Sequence, residues 1–273
     1  MRESEITAAN SYLKSVLSTA EKTGAVVSVV IFGSFAKGGF SERSDVDLLV
    51  VVSDDCRQET IGQFKSVLQR QAAMFGFGQT SKSFVDRFLS ALMAQTGIFE
   101  SSFVTRRSDF LRSDFTKIFG TNKILTSLIA PKDIVIAGML SHARTVFGED
   151  LLVARTPVAI GSGQLLRSLV MNSLLAVGAL IISPLTDKST DLSLEAVKWS
   201  LFSSYYLAYG ESPGIDRIAE RFISSGILPG LMRRMLSLRE SRASDKRFLV
   251  MAPIAVTIIT GSTGKLVAST RSN

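Results

Sequence analysis

The sequence predicts an α+β fold: a small mixed β-sheet with flanking helices, followed by an α-helical bundle. Three observations carry this. Residues 26–52, VVSVVIFGSFAKGGFSERSDVDLLVVV, place two β-branched apolar runs on either side of a polar, turn-rich segment, the pattern of strand, turn and short helix, second strand. Stripes of apolar residues at helical spacing surround that unit. Beyond Thr156-Pro157 and Gly161-Ser162-Gly163 come helix-length apolar blocks separated by short breaks, as in an antiparallel bundle. At 273 residues, 46% hydrophobic and 20% charged, the chain can form one large or two ordinary domains with a sizeable core. We divide it into a first domain, residues 1–155, and a helical domain, residues 156–273.

Taken in order, Ile6, Ala9, Leu13, Val16, Leu17 and Ala20 share one helical face between Ser4, a candidate N-cap, and Gly24. That helix is expected to pack on the sheet. After the second strand and an Asp54-Asp55 turn, Ile61, Phe64, Leu68, Ala72 and Phe75 mark another helix, ended by Gly76. Phe84, Phe88, Leu89, Leu92 and Met93 suggest a third, closed by Gly97, and Ile98–Thr105 reads as a strand. Pro131 is placed to open a helix. The bundle blocks run over about 164–182, 194–209, 213–226, 231–243 and 246–259, and the final dozen residues read as a loose tail.

The chemistry concentrates in the Gly33–Asp47 segment. Side chains alternate faces along a strand, so Asp45 and Asp47 point the same way at the start of the second one. Two adjacent carboxylates repel, and a cation between them relieves the repulsion. Hard oxygen ligands suit Mg²⁺, which takes one or two carboxylates together with phosphates and water. Gly33 allows close backbone approach and Ser34 brings a hydroxyl donor. The amides around Phe35 to Lys37 make an anion site if a helix starts there. A triphosphate cradle on one strand end and a metal clamp on its neighbour equip the segment for in-line phosphoryl or nucleotidyl transfer with two metals.

Gly33-Ser34, Gly38 and Ser44-Asp45-Val46-Asp47-Leu48 spell GSxxxGxxxxxSDxDL, which resembles the signature of the DNA polymerase β-type nucleotidyltransferase superfamily. The resemblance implies transfer of a nucleoside monophosphate, with AMP from ATP expected, to an acceptor hydroxyl with release of pyrophosphate. It implies two Mg²⁺ ions held by Asp45 and Asp47, and Gly33 and Ser34 gripping the triphosphate. It also implies a third carboxylate on a strand after the helix that follows the DxD pair. Glu100 is the best match by position, as metal ligand or general base. Asp86, Asp109 and Asp114 are lesser contenders; the last two sit in Ser-Asp pairs that also fit helix-cap chemistry. Val146–Leu151, VFGEDL, resembles the short hhGxDL segment that often ends the catalytic domain. Lys198, in EAVKW, is similar to a lysine that relatives with a C-terminal helical domain direct at the nucleotide's phosphates. Trp199 and Tyr205 are candidates for stacking on a base, set against the ordinary reading of a solvated lysine and core aromatics.

A net charge of +7 and a pI near 9.7 favour polyanionic partners and count against a polycationic acceptor such as an aminoglycoside. Chain length and two-part layout nevertheless resemble the antibiotic-modifying members. The acceptor is therefore left open among a small molecule, an RNA 3′ end and a protein. Arg233, Arg234, Arg239, Arg242, Lys246 and Arg247 form a basic cluster that suits RNA or an acidic partner, or a solvated helix face. A reading from another class is a non-catalytic nucleotide sensor or interaction module that keeps the Gly-Ser loop without turnover.

One cysteine, Cys56, excludes an intrachain disulfide framework and suits a reducing compartment. A single histidine, His142, makes serine-triad and histidine-zinc chemistry unattractive. The N-terminal MRESEITAAN lacks the apolar core of a signal peptide. A mean hydropathy of +0.27 raises the question of a membrane. Leu165–Ile182 is interrupted by Arg167 and Asn172, and Phe248–Thr260 is short and contains Pro253. Both are expected to be buried bundle helices, with no membrane partner and a cytoplasmic location.

Overall fold

The structure, a computed structural model, describes residues 3–37, 46–77, 102–123, 126–127, 130–158, 160–161, 163–186, 188–241 and 243–271. It divides into two compact units: residues 1–123 with 139–158, and residues 124–138 with 159–273.

The first unit opens with α1 (Glu3–Thr23), β1 (Val26–Phe32), the single-turn α2 (Gly33–Ala36), β2 (Asp47–Val52) and α3 (Gln58–Met74). It continues with β3 (Ser102–Arg106), α4 (Arg107–Leu111), α5 (Phe115–Phe119) and, after a segment that joins the second unit, β4 (Arg144–Gly148). The strands form one mixed sheet in the order β3-β2-β1-β4. β1 runs antiparallel to β2 and β4, and β2 runs parallel to β3. The α+β class with a small mixed sheet is as expected. β4 is an addition, because VFG was read only as part of a motif.

Alternation along the strands separates the two faces. Ile31, Leu48, Val50 and Val104 pack under Ala9, Val16 and Ala20 of α1 and Phe64 and Leu68 of α3. The expected stripes on both helices therefore face the core, joined by the fully buried Tyr12. Its hydroxyl shares a 3.0 Å hydrogen bond with Ser102. On the other face Phe32 stacks near Phe103 at 6.3 Å, and Phe103 meets Phe119 edge-on at 4.8 Å. That layer depends on α5, whose start is capped by Asp114: its carboxylate accepts the Thr116 and Lys117 amides at 3.1 and 3.3 Å. Asp109, within α4, pairs with Arg112 at 3.1 Å. Both aspartates thus serve local helix structure.

The second unit holds α6 (Lys132–Leu140), directly after Pro131, then α7 (Gly163–Ile182), α8 (Ser189–Tyr209), α9 (Ile215–Ser224), α10 (Pro229–Ser241), α11 (Lys246–Gly261) and α12 (Thr263–Arg271). α8 is its axis. It packs on α7, α9, α11 and α12, and Leu194, Val197, Leu201 and Tyr205 are buried around it. The helices follow the expected blocks within a few residues, apart from α8, which starts five residues earlier. The expected tail is instead a helix, α12, because Leu266 is buried in the bundle core and anchors it. α7 and α11 also differ from expectation. Each is helical throughout, but only 22% of the apolar window of α7 and 39% of that over Lys246–Val267 is buried. Both windows are long and apolar enough to cross a membrane, with mean hydropathy 2.0 and 1.5.

Candidate functional site

The site is assembled where β1 ends and β2 begins. Antiparallel register sets Phe32 opposite Asp47, so the residue after Phe32 meets the first side chain of β2. Only a glycine fits there. Gly33 has φ +68°, and a Cβ on it would lie 1.7 Å from Asp47 Oδ2 and 2.7 Å from its Cγ. The carboxylate fills the space that any side chain at position 33 would need. Asp47 is half-buried, while Val46 and Leu48 beside it are fully buried, which fixes the strand end that presents it.

α2 turns the chain immediately afterwards. The Lys37 amide donates to the Gly33 carbonyl at 3.2 Å, so this amide closes the turn instead of joining the expected anion site. Ser34 lies half-buried on the same turn. Lys37 itself was not singled out from the sequence, although it is the only lysine within the Gly-Ser segment. Burial pushes its ammonium down to about 8, against the opposing pull of the Asp47 carboxylate. The described site is therefore a glycine, a carboxylate and a largely buried lysine whose charged form the carboxylate favours.

Gly38, Ser44, Asp45, Asp86 and Glu100 lie outside the described residues. Among the described residues no three His, Cys, Asp or Glu side chains group to hold a metal ion; Asp47 is the expected ligand that is described. Its chemistry fits a hard cation: an oxygen donor at a strand end, flanked by a side-chain-free glycine, whose negative charge already favours the charged form of a lysine.

The remaining candidates have structural employment. Lys198, on α8, pairs with both carboxylate oxygens of Glu195, and Glu195 Oε2 also accepts the Trp199 indole N–H at 3.2 Å. Tyr205 is buried and donates its hydroxyl to Glu211 at 3.0 Å. In VFGEDL, Gly148 presses on β1: a Cβ there would stand 2.0 Å from the Val27 carbonyl oxygen. The Glu149 amide donates to that same oxygen at 2.9 Å, and its carboxylate pairs with Arg107 at 2.7 Å. Asp150 accepts from the Thr145 hydroxyl at 2.9 Å. This segment closes the sheet edge. Within the basic cluster Arg234 pairs with Asp245, which caps α11 by accepting the Arg247 and Phe248 amides at 2.9 and 3.1 Å. Cys56 is buried, and His142 stands exposed in the turn after α6.

Residues 12–74 match the nucleotidyltransferase domain family, a span from Tyr12 in α1 to the last residue of α3. Comparison with curated proteins returned no match. Among solved structures the chain is similar to spectinomycin adenyltransferase AAD(9) from Enterococcus faecialis, crystallised with ATP and spectinomycin. The similarity has a TM-score of 0.54 at 13% identity and covers 94% of this chain and 98% of that one. At that identity it shows a shared fold.

Proposed function

We propose that the chain, whose residues 12–74 match the nucleotidyltransferase domain family, is a nucleotidyltransferase of the DNA polymerase β type that transfers AMP from ATP to an acceptor hydroxyl and releases pyrophosphate. The observation that carries this reading is the Gly33–Asp47 contact, because it joins the Gly-Ser corner to the first acid of β2 in one spot. Asp45 and Asp47 would hold two Mg²⁺ ions, with Glu100 as third ligand or general base. Bound there, the ions supply charge neutralisation along the triphosphate and a more acidic acceptor hydroxyl. Ser34 and the α2 amides take the β and γ phosphates. Lys198 is retained as a phosphate contact, which requires it to leave Glu195.

ATP as donor and a small-molecule hydroxyl as the first acceptor class draw support from the adenyltransferase solved with ATP and spectinomycin. The net charge of +7 supports an RNA 3′ end or a protein as the next classes to test. A cytoplasmic location is proposed on cysteine usage alone, since a single thiol suits a reducing compartment.

Incubation of the full chain and Mg²⁺ with labelled ATP, CTP, GTP or UTP, against metabolite, RNA and protein fractions, tests donor and acceptor together. Label from ATP alone in one fraction is the expected result. Asp47→Asn should lower the rate at least ~10³-fold while leaving the circular dichroism unchanged. Turnover equal to wild type in that variant overturns the metal-clamp reading, and no transfer into any fraction returns the non-catalytic sensor.

A further inference from the structure

The outer side of the second unit is apolar where a solvated helix would be polar. On α7, Leu166, Val170, Leu174, Val177 and Ile181 stand exposed, two of them by 63% and 70% (Leu166 and Ile181). On α11, Val250, Met251, Ile254 and Ile258 stand exposed as well. Apart from Met74 and Val153, every large apolar side chain exposed among the described residues lies on these two helices or at Leu185, just after α7. Scattered exposed apolar residues are ordinary, but a contiguous set of this kind marks an interface.

The two ridges adjoin. α7 and α11 pack on each other and both pack on α8. Thr190, at the start of α8, accepts the Asp245 amide at 3.2 Å, and Ser204, near its end, donates to the Ile259 carbonyl at 3.4 Å, so α8 and α11 run parallel. Only six residues separate α7 from α8, so their side-by-side packing makes them an antiparallel pair and α7 runs opposite to both. The ridges also share a period. Val170 and Val177, Leu174 and Ile181, and Met251 and Ile258 are each seven residues apart, two helical turns, so each set lies along one face of its helix.

We infer that this α7/α11 face is a homodimer interface, in which the antiparallel pair of one copy packs on the same pair of a second copy. The exposed fractions correspond to on the order of 1,000 Å² of apolar surface, against ~800 Å² per partner in a stable interface of ordinary size. A second copy also matches the composition. Homodimer interfaces resemble a domain core cut in half, and these ridges are branched aliphatics and methionine. A lipid surface would favour Trp and Tyr at its boundary, and neither stands on the ridges. The inference stands independently of nucleotidyl transfer.

Sedimentation of the full chain at micromolar concentration should give twice the 29.5 kDa chain mass. Leu174→Gln should weaken dimerisation by at least about tenfold, and Leu174→Glu combined with Ile254→Glu should leave a monomer with wild-type circular dichroism. A wild-type monomer overturns the proposal, as does a dimer indifferent to both variants. Co-sedimentation of monomeric wild type with phosphatidylglycerol–phosphatidylethanolamine vesicles would assign the face to a lipid surface instead. Should the double variant misfold, the single Leu174→Gln series still decides the matter.

Discussion

Glycine meets two different needs in this molecule, and among the described residues only the first unit shows both. In the first, Gly33 and Gly148 stand where another part of the chain occupies the position of a Cβ: the Asp47 carboxylate at 1.7 Å and the Val27 carbonyl at 2.0 Å. In the second, Gly210 also has positive φ, at +71°, but nothing lies within 4 Å of its missing Cβ. It ends α8 through its amide, which donates to the Tyr206 carbonyl at 2.8 Å, and the requirement is one of backbone shape alone. Gly24 and Gly76 in the sheet unit are open in the same way, so close approach is a device the sheet unit adds, while the described positive-φ glycines of the bundle, Gly210 and Gly226, are both of the open kind. The charges also differ: Lys37 is largely buried, with the Asp47 carboxylate favouring its charged form, whereas Arg234 meets the α11 cap from an exposed position.

This contrast fixes an order of effects. After Asp47→Asn, Gly33→Ala should be the most damaging, displacing the Asp47 carboxylate and lowering nucleotide transfer by about 10²-fold. Equal kcat in this variant would break the link between the glycine and the acid. Gly148→Ala should cost about 3 kcal/mol in urea unfolding by forcing β4 off the Val27 carbonyl, with kcat per folded molecule kept; a loss under 1 kcal/mol would make its close approach incidental.

Lys37 comes next. In the metal-free protein its folded pKa of about 8 lies below the unfolded value of 10.5, so between these the unfolded chain binds more protons. Stability should therefore rise from pH 8 towards 10, by on the order of 2 kcal/mol, relative to Lys37→Met. Parallel curves for the two proteins would remove the buried ammonium from the account. Gly210→Ala should be mildest, about 1 kcal/mol of left-handed backbone cost with no effect on transfer.

Much of this was legible in the sequence wherever the cause was local. The Ile61, Phe64, Leu68 and Ala72 stripe and the Gly76 stop define α3, Asp114 caps α5, and Asp47 begins β2 at the anticipated residue. What escaped depends on distant partners. β4 is short and half-buried, and it becomes a strand only because β1 offers an edge across more than a hundred intervening residues. α12 needs the rest of the bundle to bury Leu266. Apolar content on α7 and α11 announced helices but did not say which side would be covered. Lys37 looked like any loop lysine, because its environment is made by burial and by the other strand.

The order of the chain also bears on how the protein is made. β4 completes the sheet beside β1, yet residues 124–138, which belong to the bundle unit, are synthesised before it. On the ribosome, β1 therefore emerges with one flank bare and stays so until Gly148 has left the exit tunnel. An unguarded strand flank is a template for mispairing with neighbouring nascent chains. Release of a fragment ending before Arg144 should yield aggregates rather than a smaller folded protein.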